Sequence, residues 1–184
     1  MGLALIVACW GPSAAALADA LELGEPAPPI ELVTLDGTHI ATSALRGQVV
    51  IVTFWATWCV PCKKELPVLS NYFAQHADSG LQILGFSLDE PSALPAVREA
   101  AIHLRFPVGL LGSPWAKGYG RIWRIPVSFV IDRSGRLVDN GWDDFDPVWT
   151  AARLQRIVTP LLAPAAAPGR VLQIRSPAAT TTRR

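Results

Sequence analysis

The run "VVIVTFW", residues 49 to 55, is apolar at every position but Thr53 and rich in β-branched side chains. It predicts a central strand covered on both faces. "LQILGFSL", 81 to 88, reads as a second buried strand, and "FPVGLL", 106 to 111, as a short third. Before them, "IELVTLDGTHIATSAL" predicts a strand, a turn at Asp36-Gly37, a second strand and a short helical turn near Thr42-Ser43.

From Cys62 the apolar residues recur at Leu66, Leu69 and Phe73, the spacing of one helical stripe. Pro67 inside that stripe should kink the helix or cost it a hydrogen bond. "SALPAVREAAIHL" predicts another helix, and "SPWAKGYGRIW" a short helix or turn. "PVSFVIDRSGRLVDNGW" predicts a hairpin turning at Asp132 to Gly135. "DPVWTAARLQRIVTPLL" predicts a last helix, started by Asp146 before Pro147 at its first position. Strands alternating with helices and ending in a hairpin give an α/β fold with a mixed central sheet flanked by helices.

The ends differ from this middle. The first 18 residues, "MGLALIVACWGPSAAALA", carry no charge, and no Lys or Arg precedes Arg46. An apolar stretch closing on small residues, Ala16 and Ala18, fits a secretory signal, although it lacks a positive start. "IVAC", ending at Cys9, also resembles a bacterial lipoprotein signal. Residues 164–184 are rich in Pro, Ala and Thr, with one short apolar patch from Val171 to Ile174, and predict a disordered tail. The expected division is 1–18 as signal peptide or N-terminal anchor, 19–163 as the folded domain, and 164–184 as the tail. The net charge of +1, with no basic run before Arg183-Arg184, argues against a nucleic-acid partner.

Half the chain is apolar and it holds only three cysteines, too few for a disulfide scaffold. Two of them, Cys59 and Cys62, stand where the strand "VVIVTFW" ends and the helix begins. Three residues apart, they share a helix face and can close a small disulfide. The partial positive charge of a helix N-terminus favours the thiolate, the attacking species in disulfide exchange. The position therefore suits an exposed nucleophile, Cys59, with a resolving partner, Cys62, one turn inside. Half of a zinc site is the competing reading. It would need ligands that Cys9 and three scattered histidines do not supply in any usual spacing. Two buried structural cysteines are the third reading.

"FWATWCVPCKKELP", 54 to 67, resembles the active-site region of the thioredoxin superfamily. With the "LDGTHIATSALRGQ" lead-in and the "IPVSFVIDRSGRLV" hairpin, the similarity is to exported thioredoxin-like reductases of the TlpA and ResA type, over residues 24 to 162. The resemblance implies a thioredoxin-like fold with an N-terminal β-hairpin extension. It implies a cis bond at Ile125–Pro126, and substrate peptide met by Ile125, Pro126 and Trp58. No cofactor beyond the Cys59–Cys62 disulfide is expected, and no metal.

Thioredoxin itself has a buried Asp where this chain has Thr53, which cannot take a proton from a thiol. In the TlpA and ResA type a Glu follows the second cysteine by three residues, as Glu65 does here, and its spacing puts it on the Cys62 side of the helix. Glu65 is then the candidate proton acceptor; the alternative is an exposed, inert helix glutamate.

Pro61 offers neither N–H nor charge to the Cys59 thiolate, which favours a reductant. Such a protein would act on protein thiols and disulfides in the periplasm, in some relatives during cytochrome c maturation. A membrane protein would re-reduce it, and its N-terminus could tether it by an uncleaved segment or a lipid on Cys9. The alternatives are an oxidase or isomerase using the same residues, and a copper-site assembly protein. The latter type has a Cys-x₃-Cys and a distant His, and no His follows His103 here.

Overall fold

The computed structural model describes residues 21–163. The expected signal or anchor at 1–18 and the tail at 164–184 lie outside them. β1 (Glu31–Val33) and β2 (His39–Ala41) form the expected antiparallel hairpin. Gly37 takes φ 87° in its turn, where its N–H donates to the Thr34 carbonyl at 2.9 Å. A 3-10 turn over Thr42–Leu45 leads into β3 (Val49–Trp55), buried at every position.

α1 (Val60–His76) follows and continues through Pro67. The cost of that proline is one missing N–H on a surface-facing turn, not a break. β4 (Leu81–Ser87), α2 (Leu94–Ala101) and β5 (Val108–Leu110) complete a parallel unit. Then come β6 (Trp115–Ala116), β7 (Gly120–Arg121), the hairpin of β8 (Val127–Ile131) and β9 (Leu137–Asn140), and the helices α3 (Ala151–Ile157) and α4 (Thr159–Leu162).

The central sheet has the order β5-β4-β3-β8-β9. β3 is parallel to β4 and antiparallel to β8, which makes the sheet mixed. Alternation along β3 supplies both cores. Val49, Ile51 and Trp55 face the helices α1 and α3, while Val50, Val52 and Phe54 face the opposite layer with Tyr119 and Phe129. The N-terminal hairpin is tied to the sheet edge by the Leu35 N–H donating to the Val108 carbonyl at 2.9 Å. A Cβ at Gly109 would collide with the Val33 carbonyl, so only glycine lets the hairpin sit this close.

Two sequence expectations are sharpened or corrected. Of the short helix or turn expected at 113–123 the structure has the turn, closed by the small β6–β7 hairpin. Gly118 and Gly120 both take positive φ, and the buried Tyr119 between them donates its hydroxyl to the Pro28 carbonyl at 3.0 Å. The last helix does not start at Asp146. Residues 147–150 have no regular structure, and α3 begins after Thr150, whose hydroxyl caps it by accepting the Arg153 N–H at 3.2 Å. The Trp149 N–H goes elsewhere, to a side chain of α1. Pro160 then ends α3 early and opens a separate last turn.

Candidate active site

Cys59 and Cys62 are joined in a disulfide at the N-terminus of α1, with their Cα atoms 5.2 Å apart. Cys59 is the helix N-cap, and its Sγ accepts the Cys62 N–H at 3.2 Å. That geometry turns Sγ back onto the first turn. Cys59 is therefore only 4 % exposed in the disulfide form, not the open group expected, and Cys62 is fully buried. Its chain neighbours Trp58 and Val60 project outward, 65 % and 64 % exposed.

The loop entering the pair is clamped from β4. Asp89, buried just past the strand, accepts the Thr57 N–H at 2.8 Å, the Thr57 hydroxyl at 2.6 Å and the Ser87 hydroxyl at 2.6 Å. A carboxylate that gathers three donors holds its loop rigidly. Nothing in the local sequence pattern marked Thr57, Ser87 or Asp89, because the contact joins segments 32 residues apart.

Glu65 is fully buried, so it is not the exposed helix glutamate of the alternative reading. Its Oε2 accepts the Trp149 N–H at 2.9 Å, while Oε1 has no partner among the described residues. Burial raises its pKa to about 7; the Trp149 N–H and the Arg153 charge offset only part of that. Thr53, on the central strand, accepts a hydrogen bond from the Ser128 hydroxyl at 2.9 Å and titrates nothing.

The pairing of Phe54 with Val127 brings the start of β8 beside the end of β3. Ile125–Pro126, joined by a cis peptide bond, therefore lies at the same sheet end as the cysteines. Ile125 packs partly buried between the two core layers, and its N–H and C=O take no backbone hydrogen bond among the described residues. His39 pairs with Glu31 on the exposed hairpin, and His76 packs on Tyr72. Among the described residues no group of His, Cys, Asp and Glu could hold a metal ion.

Sequence reasoning also missed Trp149 and Arg153. Their spacing of four on what looked like continuous helix was the only available signal. It was hidden because Trp149 precedes the helix rather than belonging to it.

Comparisons agree with this geometry. The AhpC/TSA family profile matches residues 23–140. The thiol-disulfide oxidoreductase ResA of Bacillus thuringiensis subsp. konkukian (strain 97-27) is 32% identical over 119 residues, covering 64% of this chain and 68% of that protein. The crystal structure of a thioredoxin-family thiol:disulfide interchange protein from Chlorobium tepidum TLS has a TM-score of 0.65 at 32% identity, covering 74% of this chain and 95% of that one. A putative thiol:disulfide interchange protein DsbE from Chlorobium tepidum has a TM-score of 0.64 at 25% identity, covering 78% and 99%. With a cysteine pair closed into a disulfide on a thioredoxin-like scaffold, the chain belongs to the AhpC/TSA family and is a thiol–disulfide oxidoreductase of the ResA and DsbE type.

Proposed function

We propose that this oxidoreductase works as a periplasmic reductase of protein disulfides. The observation that carries the reading is a buried carboxyl, Glu65, one helical turn beyond a dithiol pair. The Cys59 thiolate attacks one sulfur of a substrate disulfide, and the first substrate thiolate leaves. Cys62 then passes its proton to the Glu65 carboxylate and attacks Cys59 Sγ. The mixed disulfide breaks, the second substrate thiolate leaves, and the Cys59–Cys62 disulfide carries the two electrons' worth of oxidation. A group with a pKa of about 7 is suited to accept and return a proton near neutrality. Trp58 and the backbone of Ile125, followed by Pro126, form the docking edge for an extended client segment, whose main chain would supply the hydrogen bonds. Apocytochrome c is one client type that fits.

The direction of electron flow is tested by equilibrating the pair with glutathione buffers. Pro61 gives the Cys59 thiolate no extra hydrogen bond, so the dithiol should be more reducing than the glutathione couple. A potential on the oxidising side would reassign the protein as an oxidase or isomerase. A reductase in an oxidising compartment needs an electron source, and a membrane electron-transfer protein fills that role.

The address rests on the uncharged residues 1–18. No helix among the described residues is long and apolar enough to cross a membrane. Mass spectrometry of the envelope fraction should find a mature chain lacking residues 1–18, one beginning at a lipidated Cys9, or one retained by its N-terminal segment. Intact Met1 confined to the cytoplasmic fraction would overturn the export reading.

A further inference from the structure

The buried site contains a cation that the exchange chemistry does not use. Arg153 is 5 % exposed. Its Nη2 lies 3.0 Å from Asp139 Oδ2 on β9 and 2.7 Å from Asp144 Oδ2. Its Nη1 donates to the Asp146 carbonyl at 3.3 Å. The guanidinium lies 4.2 Å from the centroid of the Trp149 ring, a cation–π distance. Trp149 in turn gives its N–H to Glu65. One side chain thus fastens β9 and the irregular segment 144–149, the segment that covers Glu65.

We infer that Arg153 is a positioning residue for Glu65: it holds the Trp149 N–H on the carboxyl and, with Asp139 and Asp144, sets which protonation state Glu65 keeps. This rests on the proton role given to Glu65 above. Burial alone disfavours the charged carboxyl, and Arg153 is the cation that opposes burial. Asp139 and Asp144 pair with the same guanidinium, so each is expected to offset part of its pull on Glu65. The other charged neighbours do not compete. Lys63 and Lys64, on the same helix, face solvent, and Arg156 acts on Asp139. Cys62, three residues before Glu65 on α1, is held in the disulfide and does not titrate in the oxidised protein.

Two substitutions therefore predict opposite signs. Arg153→Met removes the cation, so the ionisation midpoint of Glu65 should rise by about one pH unit. Asp144→Asn removes a competing anion while keeping the acceptor for the Asp146 N–H, so the midpoint should fall by a smaller amount. Arg153→Lys keeps the charge and should return the midpoint towards the wild-type value. The readout is the carboxyl carbon resonance of Glu65 across pH in ¹³C-labelled, full-length, oxidised protein, assigned by its loss in Glu65→Gln. Asp144 is partly exposed, so Asp144→Asn carries the test if Arg153→Met does not fold.

Midpoints that stay put, or move in the same direction in both variants, overturn the inference. This readout is independent of turnover. If the midpoints split as expected while Glu65→Gln leaves the rate–pH curve unchanged, the assignment of Arg153 stands and the proton role of Glu65 falls.

Discussion

Cys59→Ser is expected to abolish disulfide exchange, a loss of about a thousandfold or more, because Cys59 is the attacking thiolate of the proposed cycle. Cys62→Ser should have a different phenotype. Its Cys59 still attacks, but nothing releases the product. Mixed disulfides on Cys59 should accumulate and dissolve in dithiothreitol. The asymmetry follows from position. Cys59 caps the helix beside the projecting Trp58 and Val60, whereas Cys62 is fully buried one turn inside. The proposed cycle therefore has Cys59, at the N-cap edge, meet the client when the disulfide opens, with Cys62 resolving from one turn inside. Non-reducing gels and mass spectrometry of both variants would read this directly. A client trapped on Cys62 in the Cys59→Ser protein would reverse the assignment. The trapped client would also identify the substrate class.

Glu65→Gln should change both the stability and the kinetics. In the folded, oxidised protein Glu65 has a pKa of about 7 against an ordinary value of 4.5. Below the ordinary value both folded and unfolded chains hold the proton, and its contribution is complete. As pH rises from there, the unfolded chain releases the proton while the folded chain keeps it, so stability falls until about pH 7. Integrated over that window, the loss is about 3 kcal/mol. Glutamine keeps the acceptor for the Trp149 N–H and cannot ionise. Urea denaturation at pH 5 and pH 8 should therefore show the variant gaining stability relative to wild type at the higher pH. In the reduced protein, resolution of the mixed disulfide should slow by about a hundredfold near neutrality, the scale of a lost general base. Stopped-flow Trp fluorescence across pH, with Trp58 beside the pair, can follow it. Superimposable stability–pH and rate–pH profiles would remove Glu65 from the mechanism.

The cysteine pair, its helix and the strand before it were legible because they are local. A β-branched apolar run can be satisfied only by burial on both faces, and β3 is buried throughout. Residues three apart on a first helical turn meet whatever surrounds them, and Cys59 and Cys62 do. The hairpin turn at Asp132–Gly135 was equally readable, since the turn closes within itself through the Gly135 N–H to the Asp132 carbonyl at 2.9 Å. Periodicity failed at residues 146–150. The pattern there is helical, but a buried carboxyl 84 residues away claims the Trp149 N–H and delays the helix to Ala151.

The sequence by itself determined the dithiol, its place at a helix N-terminus and the alternation that builds two core layers. Those features depend on spacing along one stretch of chain. Only the tertiary structure decided that Glu65 is buried, that Asp89 clamps the loop through Thr57, and that Arg153 stands between two aspartates and the Trp149 ring. A side chain's proton affinity depends on its desolvation and on charges brought close from other segments. Neither quantity exists until the sheet order and the path of residues 144–150 are set.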